Sequence, residues 1–461
     1  MLEAGFLAML FLPPRAGGTA PFLGLFLATF ACYLAFLRLA LPAARAPVPG
    51  GPAPAPGRTV AAVLAFAGLF RATLLLGAPA LSQDIERYLW DGRVVVSGGN
   101  PYSEPPIAPS LAGLRDERFE RLDHTRVATI YPPAAQILFA AAAVSGWGVL
   151  GLKALLVVAD LLGIAVLRRI LERRRLPPQR IVVYAWNPLA VIEVAWSGHL
   201  EPAGLLCVLV AAAAIIQKRD LRSILALTLA GLVKLLPFVL FAPFLRSIRL
   251  RWLGLATLLV VAAYWPFRSA GRDLLGGVGE YARHFFANES LFGIVHAGIA
   301  WIGPTPALKS AVALLRARIP WSEPLDSLYP YLYPRDLSRG LCVVVVVLIA
   351  IGLVRRGIDP LRGAYLLTGS ILLLSPILHP WYLLWILPWV CLFPSRAWIL
   401  LTGLSALSYA NLGAPGREAE PYPWVRWIEY LPFYALLLGD WIGARLRTSR
   451  PARAFDRPAA E

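Results

Sequence analysis

The sequence predicts an all-α protein that crosses a membrane many times. Of its 461 residues, 58% are hydrophobic and 15% are charged, whereas a soluble domain is about half apolar and a quarter charged. The mean hydropathy of +0.63 indicates more apolar surface than one water-soluble core can bury. Apolar runs near the length of a membrane helix, about 20 residues, recur along the chain. These observations exclude a disordered chain and an ordinary soluble enzyme.

The apolar runs give the order of the predicted helices. Several of them are too short to cross alone, so we expect about 11 to 13 membrane-spanning helices, all within a single domain over residues 1–461. A Pro/Gly/Ala-rich linker, residues 42–58, separates the first two runs. The candidate spans are 20–41, 59–81, 132–149, 151–171, 181–198, 203–217, 223–245, 252–267, 291–303, 338–354, 361–378, 380–394, 397–412 and 430–446.

The net charge of +17 is concentrated in short arginine clusters between apolar runs. The densest cluster is at 168–180, and a basic tail follows at 445–461. This pattern is typical of the cytoplasmic loops of a membrane protein. Since no polar segment is long enough to fold a basic nucleic-acid domain, a nucleic-acid partner is excluded.

The longest polar loop, residues 82–130, has the opposite charge balance. It contains eight acidic residues and six arginines, so we expect it on the extracytoplasmic face. Residues 268–290 and 318–337 are predicted to be further loops. If 168–180 is cytoplasmic, only one net crossing fits between 131 and 168. One of the two apolar runs there is then expected to lie along the surface or to dip back.

An acidic cluster follows the predicted span 59–81. Asp84 and Glu86 lie two residues apart just past the membrane edge, and Arg87 and Tyr88 come directly after them. The pattern suits a solvated helix with ion pairs, and it also suits the acidic part of a catalytic site. Composition alone leaves both interpretations open.

Ionisable residues inside apolar runs are costly in a membrane, and they indicate function by default. Lys234 lies deep in the run 223–245 and requires an anionic partner, either protein or ligand. His199 and Glu201 occupy a Gly-His-Leu-Glu-Pro turn at the end of a short apolar run. Interfacial anchoring remains an alternative for the histidines. A further group between two apolar runs comprises His379, Trp381 and Tyr382.

Several of these segments together resemble a known enzyme superfamily. Gln83-Asp84-Ile85-Glu86-Arg87-Tyr88, Trp90-Asp91-Gly92, Gly99-Asn100-Pro101-Tyr102 and His379-Pro380-Trp381-Tyr382 occur in the order found in GT-C integral membrane glycosyltransferases. The chain is most similar to bacterial polyprenol-phosphate-mannose-dependent mannosyltransferases of the family 87 type. It departs from that pattern after His199, where the resembling families often have Asn-Asp and this chain has Leu200-Glu201.

The resemblance implies inverting mannosyl transfer from a polyprenyl-phosphate sugar to a glycolipid or glycan acceptor. The site is expected on the extracytoplasmic side of a bacterial cytoplasmic membrane. Asp84 matches the catalytic acid of such enzymes and is expected to be the general base, with Glu86 as the second acid. Candidates for holding the phosphate are Arg87, Lys234 and His379, and the candidates for binding sugar or isoprenoid are Tyr88, His199, Glu201, Trp381 and Tyr382.

Three questions remain open at this level. No cofactor is certain, although a divalent metal is possible, with Asp84, Glu86 and His199 supplying part of its coordination shell. Another GT-C enzyme, for arabinose or glucose, carries the same motifs. A transporter or lipid flippase is the alternative of another class. It predicts internal repeats and charges at the bilayer midplane, whereas the acids of this sequence cluster at one face and no repeat is recognisable.

Overall fold

The computed structural model describes residues 1–11, 19–41, 56–249, 251–319, 323–412 and 423–448. Most of these residues are helical, and they contain no β-strand beyond an isolated bridge between Ala287 and Ile377. The predicted all-α class is therefore confirmed. Most of the predicted linker 42–58, and the basic tail beyond residue 448, lie outside the described residues.

The described residues form twenty α-helices, several of them joined by 3₁₀ turns. In chain order they are α1 Leu2–Met9, α2 Ala20–Ala40, α3 Pro56–Leu75, α4 Asp84–Val96, α5 Pro133–Ser145, α6 Gly148–Arg173, α7 Val182–Ala185, α8 Pro188–Val191, α9 Glu201–Ile216, α10 Asp220–Val233, α11 Phe241–Phe244, α12 Arg251–Tyr264, α13 Gly276–His284, α14 Leu291–Ile302, α15 Thr305–Arg318, α16 Pro334–Arg355, α17 Pro360–Leu374, α18 Leu387–Leu392, α19 Arg396–Leu404 and α20 Pro423–Thr448.

Among the described residues, fewer helices are both long and apolar enough to cross a membrane than the sequence predicted. Five continuous helical stretches in the described residues qualify by length and composition, and two bent helix pairs raise the number to seven. The predicted number of 11 to 13 is not reached, because several apolar runs are broken into short helices. Helix α5 is an example: its 13 residues span about 20 Å of a hydrocarbon core about 30 Å thick. Only α6 is then long enough to cross between residues 131 and 173.

The apolar run around Lys234 is one of the broken ones. Helix α10 ends at Val233, and Lys234 adopts an extended conformation with φ −148° and ψ 141°. A 3₁₀ helix over Leu236–Leu240 follows, with Pro237 in its first turn. Proline lacks a backbone N–H, but the N–H groups of a first helical turn have no partner within the helix, so no hydrogen bond is lost there. The predicted span 223–245 is therefore interrupted at Lys234, which follows the last residue of α10 and does not belong to that helix.

A second break separates the predicted spans 181–198 and 203–217. A π-helix at Ile192–Trp196 precedes a bend of 119° before α9. Gly198 lies in this bend at φ +75°, and a Cβ there would lie 2.5 Å from Ile85 Cδ1. Only glycine fits both the dihedral angle and the close approach. The bend turns His199 toward the start of α4.

The prediction of a loop over 268–290 is wrong for residues 268–284 and holds for residues 285–290, which lie between α13 and α14. A 3₁₀ helix at Trp265–Leu275 continues α12 and leads into α13, giving one helical stretch over Arg251–His284. The polar residues that suggested a loop, Arg268, Arg272 and Asp273, are exposed, so they do not oppose helix formation there.

A buried ion pair joins α3 and α6 inside the bundle. Arg71 Nε lies 2.5 Å from Asp160 Oδ2, and neither side chain is exposed. Arg71 also donates to the carbonyl oxygen of Ala185 at 2.9 Å, and Tyr184 Oη donates to Asp160. Such a pair is costly to bury, and it is far more costly to break.

We expect Asp160→Asn to destabilise the protein by about 3–5 kcal/mol, because it leaves the Arg71 charge buried without its counter-ion. Thermal unfolding of the purified protein in detergent measures the loss. The double variant Arg71→Met/Asp160→Leu removes both charges and is expected to lose much less. Equal stability of Asp160→Asn and wild type would contradict this account.

Candidate active site

A cavity of about 510 Å³ lies beside the start of α4. It is built from four separated stretches of chain, from Leu412 and from Lys234, which the break after α10 brings to it. The sequence-predicted site residues in its wall are Asp84, Arg87, Lys234, His379, Trp381 and Tyr382. Of the other predicted residues, His199 and Glu201 lie behind the wall, while Glu86 and Tyr88 are absent from it.

Asp84 is the first residue of α4 and presents its carboxylate to the cavity. Its backbone N–H donates to Ser82 Oγ at 3.1 Å, and 38% of its side chain is exposed. The chain before it is fixed by Lys153, whose Nζ donates to the carbonyl oxygens of Leu75 at 2.8 Å and Gly77 at 2.6 Å. These bonds satisfy carbonyl oxygens that the end of α3 leaves without an intrahelical partner.

His199 lies between two carboxylates. Its Nδ1 is 3.5 Å from Asp84 Oδ2, and its Nε2 is 3.2 Å from Glu193 Oε2. Tyr409 Oη donates to the other oxygen of Glu193 at 2.6 Å. His199 and Glu193 are fully buried, so the imidazole has one exposed carboxylate before it and one enclosed carboxylate behind it. This arrangement fixes the ring that contacts Asp84.

The pKa of Asp84 is shifted below its ordinary value of 3.8. Burial by itself would raise this pKa, but the contact with His199 and the charges of His199, Lys234 and His379 lower it. The side chain is therefore an ionised carboxylate at neutral pH, which is the form that can accept a proton.

The histidine pair is separated by an indole ring. His199 stacks on Trp381 with ring centroids 4.0 Å apart, and His379 stacks on Trp381 at 4.3 Å. Two imidazoles at these distances cannot share one face of an indole, so they cover both faces. Trp381 therefore holds the two histidines apart, and its faces are not open to a sugar.

Lys234 reaches the cavity from the broken helix. It forms an ion pair with Glu201, which is fully buried, while 21% of the lysine side chain is exposed. Its Nζ also lies 4.8 Å from the centroid of the Tyr382 ring. Tyr382 Oη is 2.7 Å from Tyr281 Oη, on the helix α13 that the sequence predicted to be a loop. The anionic partner that Lys234 required is thus Glu201.

Arg87 is the second cation at the cavity wall. Its Nε donates to Asp91 Oδ1 at 2.7 Å, and Thr129 Oγ1 donates to Asp91 Oδ2 at 2.6 Å. Asp91 belongs to the Trp90-Asp91-Gly92 motif, and it orients the arginine rather than facing the cavity. Gly92 allows α4 to contact α5, because a Cβ there would lie 2.2 Å from the Phe139 carbonyl oxygen.

His379 faces the same cavity without a permanent charge. Burial lowers its pKa to about 4, with the nearby charge of Asp84 opposing this shift and His199 and Lys234 adding to it. At neutral pH its imidazole is neutral and can donate or accept a hydrogen bond. Lys234 and Arg87 are then the cationic candidates for an anionic ligand.

The two remaining predicted residues point away from the cavity. Glu86 Oε1 lies 3.8 Å from Arg121 Nη1, and Tyr88 stacks on Phe139 at 4.7 Å between ring centroids. Within the described residues, no three His, Cys, Asp or Glu side chains are grouped as metal ligands. Asp84, Glu86 and His199 are therefore not assembled into one coordination shell.

Some residues of the site were not assigned from the sequence. Tyr409 and Tyr281 lie in segments without a motif, and Glu193 was visible only as a carboxylate inside an apolar run. That buried carboxylate was the one available signal, because a charge in a span requires a partner.

Comparison with protein families gives two matches. A family model described as alpha-(1→6)-mannopyranosyltransferase, N-terminal domain, matches residues 7–251, and one described as the MptB C-terminal domain matches residues 335–431. The first match covers more than half of the chain and contains Asp84, His199 and Lys234, and the second contains His379. Comparison with individual curated proteins found no match.

Proposed function

Because the chain belongs to the alpha-(1→6)-mannopyranosyltransferase family, and is therefore an integral membrane glycosyltransferase, we propose that it transfers mannose from a polyprenyl-phosphate donor to a glycolipid or glycan acceptor in the cavity beside Asp84. The observation that carries this proposal is the carboxylate of Asp84, which lines a cavity whose wall also includes the cationic side chains of Lys234 and Arg87. A base and a phosphate-binding charge are the two groups that such a transfer requires.

In the proposed reaction, Asp84 removes the proton from an acceptor hydroxyl group. The oxygen of that hydroxyl attacks the anomeric carbon, and the bond from this carbon to the phosphate oxygen breaks, leaving its electron pair on the phosphate. The donor carries a good leaving group, so one carboxylate is sufficient, unlike the pair usual in glycoside hydrolysis. An aligned base of this kind contributes about 10²–10⁴-fold to the rate.

The negative charge that develops on the departing phosphate requires cations held in place. Lys234 and Arg87 line the cavity, and each is positioned by a carboxylate, Glu201 and Asp91 respectively. Preorganised charges of this kind stabilise a transition state without reorganising during the reaction. His379 is neutral and is assigned a hydrogen bond to the phosphate or to the sugar.

His199 and Glu193 are positioning residues for the base. The imidazole contacts Asp84 at 3.5 Å and is held from behind by Glu193 at 3.2 Å. An Asp84 carboxylate fixed in this way presents one oxygen toward the cavity. Glu201, which the sequence suggested as a sugar ligand, is assigned instead to holding Lys234, and Trp381 to separating the two histidines.

The proposed side of the membrane is extracytoplasmic. The cavity lies at the end of α3 where the acid-leaning loop 82–130 begins. The arginine-rich end of α6 lies at the opposite end of the bundle, since the first turns of α6 contact the last residues of α3 through Lys153. This charge distribution follows the positive-inside bias and supports the assignment.

We expect the purified protein in liposomes to consume polyprenyl-phosphate mannose only when an acceptor is present. Polyprenyl-phosphate glucose, polyprenyl-phosphate arabinose and a nucleotide-linked mannose serve as matched donors, and radiolabel in the acceptor measures transfer. Transfer of arabinose or glucose instead of mannose would show that the enzyme uses a different donor sugar. Transfer from the nucleotide-linked mannose would show that the donor is not a lipid-linked sugar. Consumption of none of them, together with substrate flux across the liposome membrane, would favour a transporter.

A further inference from the structure

A second cavity lies at the end of the bundle opposite Asp84. It has a volume of about 220 Å³, and its walls come from the segments that follow α2 and α6 and from α7, α18 and α19. Apolar side chains line most of it, among them Leu41, Val390 and Ile399. It shares no lining residue with the cavity beside Asp84, so the proposed mannosyl transfer does not account for it.

Two polar residues lie at this apolar cavity, and neither side chain forms a hydrogen bond or ion pair within the part of the chain that the structure describes. The Arg180 guanidinium makes no ion pair or hydrogen bond with any described residue, and Gln179 Oε1 is buried without a hydrogen-bond partner. A buried acceptor without a donor costs about 1–3 kcal/mol. The positive charge of Arg180 beside an apolar slot suits a ligand in which an anionic group is attached to a hydrocarbon chain.

The residues near Arg180 at the end of α6 are also positively charged. The end of α6 carries further exposed arginines, among them Arg169 and Arg173, which form no ion pair with the described residues. A general excess of arginine marks a membrane face and does not make a site by itself. The apolar slot directly beside Arg180 is what localises a ligand here.

We propose that this cavity binds an anionic phospholipid. One acyl chain occupies the slot between Val390 and Ile399, and the phosphate lies against Arg180. Basic pockets between membrane helices, at the face rich in arginine, are where anionic headgroups bind. A zwitterionic lipid offers the same chain but places a competing cation beside the phosphate.

A bound lipid would stabilise the adjacent helices. Val183 lines the cavity, and its carbonyl oxygen accepts from Tyr33 Oη of α2 at 2.7 Å. Asn187, at the start of α8, donates to Thr402 Oγ1 of α19 at 2.9 Å. The cavity thus lies where α2, α7 and α19 meet, and a ligand specific to the folded state raises stability by mass action.

The test uses the full-length protein, purified in detergent and stripped of lipid. Thermal unfolding is followed while phosphatidylglycerol, phosphatidylcholine or inorganic phosphate is titrated. We expect phosphatidylglycerol to raise the unfolding temperature and the other two to have little effect. Arg180→Gln is expected to weaken phosphatidylglycerol binding about tenfold, because it removes a charge-assisted hydrogen bond.

The matched control is Arg169→Gln, an exposed arginine of the same region, which is expected to change binding by about twofold or less. Ile399→Trp fills the slot, keeps Arg180, and is expected to abolish the lipid effect. Equal stabilisation by phosphatidylcholine, equal stabilisation by inorganic phosphate, or equal losses in Arg180→Gln and Arg169→Gln would each overturn the proposal. So would a wild-type protein that phosphatidylglycerol does not stabilise.

Discussion

Asp84→Asn is expected to lower the rate of mannosyl transfer by about 10²–10⁴-fold, because the amide cannot accept the proton of the acceptor hydroxyl. The substitution preserves shape, so the contact with His199 and the fold are expected to remain. The measurement is single-turnover transfer of radiolabelled mannose by purified variant in liposomes. Donor binding, measured separately, is expected to change little, since Asp84 is assigned to the acceptor hydroxyl group and not to the phosphate.

Two further carboxylates make the Asp84 result specific. Asp116→Asn changes an exposed carboxylate of the same loop that pairs with Arg93, and it is expected to keep full activity. Glu86→Gln changes the second acid of the motif, which faces Arg121 rather than the cavity, and its loss is expected to be far smaller than that of Asp84→Asn. Full activity in Asp84→Asn would remove this residue as the base, and equal losses in all three variants would indicate damage to the loop.

The sequence predicted the wall of the cavity better than the residues behind it. Asp84, Lys234 and His379 were recognisable because an ionisable side chain within or beside an apolar run is costly unless it has a use. Six of the ten predicted residues line the cavity. The partners of these residues could not be predicted, because Tyr409 reaches Glu193 across 216 residues of sequence and no local pattern encodes such a contact.

The number of spanning helices was overestimated for a related reason. Hydropathy measures the composition of a segment, but it does not detect where the helix axis turns. The bend of 119° at Gly198 and the extended backbone at Lys234 lie inside or between runs that read as separate spans. Both breaks bring a polar side chain, His199 or Lys234, to the site. The positions where the span prediction failed are thus positions from which the site is built.

Trp381 shows that the type of a residue does not by itself predict what its side chain contacts. An aromatic ring near a sugar site suggests stacking on the sugar, and the sequence supported that role. The structure places an imidazole on each face of the indole, at 4.0 and 4.3 Å between ring centroids. The ring is fully engaged in spacing His199 from His379. Which face of a ring remains free depends on three segments meeting, and the sequence of one segment does not contain that information.

Lys234→Gln is expected to lower transfer by about 10²–10³-fold, because the cation that stabilises the departing phosphate is lost. The same change leaves the buried Glu201 carboxylate without its partner, at a cost in stability of about 3–5 kcal/mol. Loss of activity in the single variant could therefore reflect unfolding. The double variant Lys234→Gln/Glu201→Gln separates the two effects, since it removes both charges and keeps hydrogen-bonding groups of similar size.

The double variant is expected to unfold near the wild-type temperature and to remain as inactive as Lys234→Gln. Inhibition by the released product, polyprenyl phosphate, is expected to weaken at least tenfold in the double variant, because that ligand carries the charge that Lys234 binds. Glu201→Gln alone keeps the cation but removes the carboxylate that positions it, so its loss of activity is expected to be smaller than that of Lys234→Gln. A stable double variant with wild-type transfer would show that Lys234 serves only the fold, and the phosphate would then have to be assigned to Arg87.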